Sequence, residues 1–160
     1  MSAFFAACKA GDTAAVSRLL AADATLLSFR GAGTADAVVG NTAAHWASAK
    51  GQVDVLRLLI AAGADMAARN NGDTTPLGSA AMNNHVECAR VLMGAGADPR
   101  LADDFGDSPL SLAERAGHAE LAALLSGAPP PAPPRPDAAT CKQKGNEAFA
   151  RKAYDEAIEW

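Results

Sequence analysis

The sequence has no excess of positive charge and few aromatic residues. Its 160 residues carry 14 Lys and Arg against 18 Asp and Glu, which gives a net charge of -4. Non-specific binding to nucleic acid depends on a basic surface, so a nucleic-acid partner is not expected. Only 5% of the residues are aromatic, whereas about a quarter are Ala. A core made from this composition must therefore consist of thin layers of small side chains.

Paired cysteines, targeting signals and long apolar runs are also absent. The three cysteines, Cys8, Cys88 and Cys141, show no paired spacing, which argues against a disulfide framework and favours a reducing compartment. The first residues contain no basic segment, and the longest apolar candidate, residues 53–64, is interrupted by two charged side chains. We expect a cytoplasmic protein, with the nucleus as a second location, and no membrane partner.

What the sequence does contain is a period of 33 residues. Four sets of residues repeat at this interval: Thr42, Thr75 and Ser108; Gly51, Asn84 and Gly117; Leu59, Leu92 and Leu125; and Gly-Ala-Asp at 63–65 and 96–98. The residue pattern of each unit predicts a short Ala-rich helix, a turn, a second helix with adjacent Leu residues, and a polar loop. One such helix pair buries too little apolar surface to be stable alone, so neighbouring units must stack.

At these residues the chain resembles the ankyrin repeat. The third unit carries the family motif as Thr75-Pro76-Leu77, Ala80-Ala81, His85-x-Glu87, Leu92 and Gly96-Ala97-Asp98. The resemblance implies an all-α fold, namely an ankyrin-repeat solenoid of helix-turn-helix units with short β-hairpin-like loops. The implied ankyrin-repeat domain covers residues 1–127, in four units at 1–36, 37–69, 70–102 and 103–127.

Helix-start signals agree with this arrangement. Pro76 and Pro109 are expected in the first turn of a helix, where a backbone N–H would have no acceptor within the helix, so proline loses no hydrogen bond there. Thr75 and Ser108 precede them as N-caps. Arg18 stands where later units have an apolar residue, so we expect the first unit to be an end unit with one exposed flank.

Residues 128–137 form a Pro-rich linker, because six of the nine prolines lie between 129 and 136. This composition predicts a semi-rigid polyproline II spacer. The alternative, a ligand for a proline-binding module, is less favoured because the composition changes on both sides of the segment.

Residues 138–160 resemble the opening of a tetratricopeptide repeat, and the string at 144–149 is similar to the subset found in co-chaperones. The resemblance implies that Lys142 and Asn146 belong to a carboxylate clamp, which binds the C-terminal tail of a cytosolic heat-shock chaperone. The alternative is a solvated helix lysine and a polar surface Asn. The rest of such a clamp lies on later helices, so we expect the chain to be part of a longer protein.

Catalytic and metal-binding chemistry is not indicated. His45 is expected to bond loop backbone, and His85 and His118 lie one repeat apart, so the three cannot converge on one ion. Cys88 is expected to pack between units, where a buried thiol is inert. We therefore expect no enzymatic activity and no metal or cofactor.

Packing between units does not constrain the residues at the loop tips and along one edge of each first helix. The resemblance implies that these positions form a concave protein-binding groove. The predicted partner-binding residues are Val38, Val39, Asn41, Lys50, Arg69, Asn71, Thr74, Met82, Asn83, Asp104, Phe105, Asp107 and Arg115. Phe105 is the preferred apolar anchor, whereas Trp46 is expected to belong to the core. The extended loop at residues 28–40 is either a recognition element or a tolerated insertion.

The predicted function is non-catalytic protein–protein recognition. The C-terminal segment suggests an adaptor or co-chaperone role within a longer protein. The alternative is a regulatory scaffold that masks its target, with the C-terminal helices used for self-association.

Overall fold

The computed structural model describes residues 2–30 and 40–127, and within these ranges the regular structure is helical, without strands. The helices are α1 (Ser2–Ala10), α2 (Thr13–Ala22), a 3-10 turn (Ala24–Leu27), α3 (Ala43–Ala49), α4 (Val53–Ala61), α5 (Pro76–Met82), α6 (Val86–Gly94), α7 (Pro109–Arg115) and α8 (Ala119–Ser126). Among the described residues, no helix combines the length and apolar character needed to cross a membrane. The predicted Pro-rich linker at 128–137 and the segment at 138–160 lie outside the described residues.

The helices pack in two parallel rows. The first helix of each unit contacts the first helix of the next, in the order α1, α3, α5 and α7, and the second helices form the row α2, α4, α6 and α8. Within each unit the two helices also contact one another. Each helix pair thus packs against the pairs of the neighbouring units, which is the architecture of a solenoid. The predicted all-α repeat solenoid is confirmed.

Small side chains in the first row allow the helices to approach closely. Ala47, Ala80 and Ala113 occupy equivalent positions in successive units and are all fully buried. The second row supplies the larger apolar groups, with Leu59 and Leu92 fully buried at equivalent positions. The core is therefore a series of thin, similar layers, as the composition predicts.

The first unit fills its layer differently. Phe4 and Phe5, both buried, occupy the register of Ala44 and His45 when Gly11 is aligned with Gly51, and the ring of Phe5 stacks on that of Phe29 with centroids 5.6 Å apart. Arg18 is exposed, as expected for an end unit.

The predicted helix starts are present. Thr75 Oγ1 accepts a hydrogen bond from the Gly78 N–H at 3.2 Å, and Ser108 Oγ accepts one from the Ser111 N–H at 3.2 Å. Each bond satisfies an N–H group that has no partner within its helix. A proline follows each cap at the start of α5 and α7.

The turns between paired helices confirm the period in the backbone itself. Gly51 and Gly117 adopt positive φ angles of 71° and 76°, and Asn84, which replaces Gly in the third unit, adopts 58°. Asn is one of the few residues other than Gly that tolerates this left-handed region. The turn geometry is thus kept although the residue type changes.

Candidate protein-binding surface

Two loop fingers project from the stack, and the same turn builds both. The third-repeat finger comprises residues 69–74, and the fourth-repeat finger comprises residues 102–107. Asn70 Oδ1 accepts hydrogen bonds from the Gly72 and Thr74 N–H groups, both at 3.0 Å. Asp103 Oδ1 accepts the equivalent bonds from Phe105 and Asp107 at 2.9 and 3.0 Å. A side-chain oxygen at the same register thus closes each loop.

The fingers are bonded to one another as well. The Asp104 N–H donates to the Gly72 carbonyl at 3.2 Å, and Arg69 Nη1 donates to the Ala102 carbonyl at 3.0 Å. Arg69 also pairs with Asp73 at 2.9 Å, within its own finger. The two fingers are therefore held as one rigid edge by contacts that leave their tips accessible.

One predicted site residue is wrong. Asn41 was expected on the accessible surface, but it is only 7% exposed. Its Oδ1 accepts a hydrogen bond from Asn70 Nδ2 at 2.8 Å, which links the second repeat to the third-repeat finger. Asn41 therefore supports the third-repeat finger from a buried position and does not belong to the accessible surface.

We give the name finger face to the other predicted residues that the structure describes. It consists of the two fingers and the C-terminal ends of α3, α5 and α7. Its exposed members are Lys50, Asn71, Met82, Asn83, Asp104, Phe105 and Arg115, and its partly buried members are Arg69, Thr74 and Asp107. Val38, Val39, Lys142 and Asn146 lie outside the described residues.

Within the finger face, the structure joins a finger to a helix. Arg115, in the last turn of α7, pairs with Asp107 of the fourth-repeat finger, and Asp107 also accepts a hydrogen bond from Ser111 Oγ at 3.3 Å. The surface is therefore continuous from the fourth-repeat finger to the end of α7.

A cation–π contact that the sequence analysis did not predict joins the first unit to the second. The Nζ of Lys9 sits 3.7 Å from the ring centroid of Trp46, which is half-buried rather than fully in the core. Lys9 occupies the register of Ala49, Met82 and Arg115 when Gly11 is aligned with Gly51. That alignment is the signal that was available in the sequence, since it places Lys9 on the same edge.

His45 has the backbone role predicted for it. Its Nε2 bonds the Thr74 carbonyl at 2.8 Å, and its Nδ1 accepts from the Thr42 N–H at 3.2 Å. Because a carbonyl only accepts and an N–H only donates, His45 is neutral, with its proton on Nε2. Burial lowers the pKa of His45 to about 4, against an ordinary value of 6.5.

The other two histidines also tie repeats together. His85 Nε2 donates to the Ala49 carbonyl at 3.1 Å, and His118 Nδ1 donates to the Ala81 carbonyl at 3.0 Å. Gln52 makes the equivalent bond to the Lys9 carbonyl at 3.0 Å. His45 and His85 bond across the boundary between the second and third repeats, and His118 bonds across the boundary between the third and fourth. In the part of the chain that the structure describes, no three His, Cys, Asp or Glu side chains form a group that could hold a metal ion.

Two cysteines in the described ranges are buried and have little thiolate character. Burial raises the pKa of Cys8 to about 12 and that of Cys88 to about 11, the latter with a smaller contribution from Glu87. Both thiols are therefore protonated near neutral pH, and a protonated thiol is a poor nucleophile.

The extended first loop is described only at its ends, because residues 31–39 lie outside the described ranges. At its base there is an open depression of about 220 Å³, lined by Leu27, Arg30, Thr42, Ala64 and others. The two interpretations of this loop, a recognition element and a tolerated insertion, stay predictions.

A comparison with known families agrees with this architecture. Residues 44–93 match the family model described as ankyrin repeats (many copies). The matched stretch runs from α3 to the last turn of α6, so it contains the helix pairs of the second and third repeats. The predicted ankyrin resemblance is confirmed for this part of the chain, and ankyrin repeats generally mediate protein–protein interaction. The tetratricopeptide resemblance of residues 138–160 stays a prediction.

Proposed function

We propose that this chain is a non-catalytic protein-recognition module that binds its partner through the finger face. One observation carries the proposal. The large hydrophobic side chains that are exposed in the described ranges are Met82, at 48%, and Phe105, at 86%, and both lie on this face. Protein interfaces characteristically combine such apolar anchors with a polar rim.

The opposite side of the stack has a different character. The exposed residues of the second-helix row include Asp54 and Arg57 in α4, and Glu87 and Arg90 in α6. Glu87 and Arg90 pair with one another at 3.3 Å. Charged pairs of this kind are typical of a solvated helix surface. The contrast between the two sides favours the finger face as the binding surface.

A non-catalytic role is supported by what the reactive side chains do. The three histidines bond backbone carbonyls of neighbouring units, and the two described cysteines are buried. These groups are engaged in holding the stack together, which leaves them unsuited to nucleophilic or acid–base chemistry.

The proposal is tested by comparing two double variants in quantitative affinity purification. Met82→Ser with Phe105→Ser alters the finger face, and Arg57→Ser with Arg90→Ser alters the second-helix row to a similar extent. We expect specific partners to be lost with the first variant and retained with the second. Partners that survive the finger-face substitutions, or that depend on the second-helix row, would contradict the proposal.

A more specific role, that of an adaptor, rests on the sequence of residues 138–160. We propose that this segment contributes Lys142 and Asn146 to a carboxylate clamp in a longer cytoplasmic protein, so that a chaperone tail and a finger-face partner are brought together. A fixed cation beside an amide donor suits a terminal carboxylate.

This role is tested by binding of an acidic peptide with a free C-terminus to the longer protein. We expect amidation of the peptide, or Lys142→Ala in the protein, to abolish binding. Equal binding of the free and amidated peptides would exclude the clamp and favour the self-association alternative.

A further inference from the structure

The tip of the fourth-repeat finger carries an aromatic side chain that the turn does not require. Phe105 and Gly72 occupy the same register in the two fingers, and each donates its backbone N–H to the side-chain oxygen two residues earlier. Gly72 completes this turn without any side chain. The Phe105 ring, 86% exposed, is therefore not needed to form the loop or to fill the core.

The finger presents this ring on a rigid support. Asp103 bonds the backbone of Phe105 and Asp107, and the Asp103 N–H donates to the Asp107 carbonyl at 3.0 Å. The neighbouring Asp104 N–H bonds the third-repeat finger at Gly72. A side chain whose backbone is already fixed loses little conformational freedom on binding, so it is a favourable anchor.

The charges around Phe105 are mainly negative. Asp103, Asp104 and Asp107 lie in the same finger, and the two cations that contact this finger, Arg69 and Arg115, are paired with Asp73 and Asp107. Asp104 is exposed directly beside Phe105. An apolar anchor bordered by carboxylates is complementary to a basic surface that also has apolar side chains.

A second copy of the chain is a poor occupant of this surface. Two fourth-repeat fingers brought together would place the carboxylates of one finger against those of the other, and two chains with a net charge of -4 each would repel one another. Met82 extends the apolar surface in the other direction, because it occupies the register of Arg115 one repeat earlier and is also exposed. The surface therefore suits an extended segment that runs from the fourth repeat toward the third.

We propose that the finger face binds a basic segment of another protein, with an apolar side chain of that segment packed on Phe105 and a Lys or Arg facing Asp104. The proposal rests on the proposed function, and it names the chemistry of the partner. The aromatic ring supplies contact area, and the carboxylates select for positive charge and make association dependent on salt.

The test is selection of random dodecamer peptides, displayed on phage, against the full chain. Peptides that are enriched are then synthesised, and their Kd values are measured by fluorescence anisotropy. We expect enriched peptides with net positive charge and at least one large apolar residue. Phe105→Ser should raise their Kd about tenfold or more, which is the effect of losing an interface hot spot. Asp104→Lys should raise it several-fold, and more strongly at low salt.

Asp54→Lys is the matched control for charge, since it makes the same substitution at an exposed site in α4 and should leave the Kd unchanged. Circular dichroism of each variant checks the fold. Enrichment of acidic peptides, or a dimer in sedimentation equilibrium that Phe105→Ser dissociates, would overturn the proposal.

The outcomes also separate this inference from the proposed function. Peptides that are insensitive to Phe105→Ser but lost with Met82→Ser would refute the role of Phe105 and leave the finger face as the binding surface. Peptides that ignore both substitutions, or an absence of enriched peptides, would count against both proposals.

Discussion

The helix rows and the finger tips place large apolar side chains in opposite environments. Leu77, in the first turn of α5, is completely buried, whereas Phe105 in the fourth-repeat finger is 86% exposed. Both belong to units with the same 33-residue pattern. In the rows, neighbouring units cover the core side chains, and packing therefore dictates the type of residue at those positions. At the tips, no packing requirement acts on the side chain, and its type can instead follow the needs of a partner.

The same difference separates residues only two positions apart in the first helices. Ala47, Ala80 and Ala113 are identical and buried, because a larger residue would force neighbouring helices apart. Two residues later, the equivalent positions carry Ala49, Met82 and Arg115. At this register the residue type therefore differs in every repeat, whereas two positions earlier it does not change. Four predictions test this comparison.

The largest effect is expected in the helix rows. Leu77→Ala should lower the free energy of unfolding by about 2–5 kcal/mol, because it removes a fully buried side chain and leaves a cavity. Leu110→Ala, at the equivalent but only partly buried position in the last described unit, is the control and should have a smaller effect. Urea unfolding followed by circular dichroism measures both. Equal losses would show that the interior and terminal layers are equally packed.

The next effect is the dependence of stability on pH through His45. Its pKa in the folded state is about 4, against 6.5 when exposed, so the folded state binds fewer protons between these values. The stability contributed by neutral His45 is complete above pH 6.5 and is lost as the pH falls toward 4, by up to about 3 kcal/mol. In His45→Ser, which introduces the residue found at position 111, this loss should disappear. An unchanged slope between pH 6.5 and 5 in urea titrations would contradict the prediction.

A smaller effect is expected from the helix caps that support the rows. Thr75→Ala removes the acceptor of the Gly78 N–H and should lower the free energy of unfolding by about 1 kcal/mol. Thr75→Ser keeps the hydroxyl group and should retain most of the stability. If Thr75→Ser were as destabilising as Thr75→Ala, packing of the methyl group rather than the cap would explain the loss.

The smallest effect on stability is expected at the finger tip. Phe105→Ser should change the free energy of unfolding by less than about 0.5 kcal/mol, since the side chain makes few contacts with the stack. Thermal unfolding of the variant and the parent checks this. A loss of more than about 1 kcal/mol would show that Phe105 packs within the fold, and the contrast with Leu77 would fail.

Much of the fold could be predicted because it depends on local rules that repeat. Thr75 and Ser108 cap helices because a hydroxyl group before a helix reaches an unpaired N–H, whatever surrounds it. The positive φ at Gly51, Asn84 and Gly117 follows from residue types that tolerate it. These features require only a few consecutive residues, so the sequence contains them in full.

The candidate site was predicted less completely, because its contacts join residues that are distant in the chain. Asn41 resembles any polar loop residue in the sequence, and only the position of Asn70 in the next repeat makes it a buried partner. The stacking of Lys9 on Trp46 likewise depends on how the first repeat lies against the second. Neither contact has a local sequence signal of its own.

The period, the helix pairs, the caps and the small residues of the first row can all be derived from the amino-acid sequence. These follow from hydrophobic spacing and backbone preferences, which act over a few neighbouring residues. The tertiary structure is needed to see which polar side chains link a finger to the neighbouring repeat and which stay accessible to a partner. These roles depend on side-chain contacts between successive repeats, and such contacts form only when neighbouring repeats pack together.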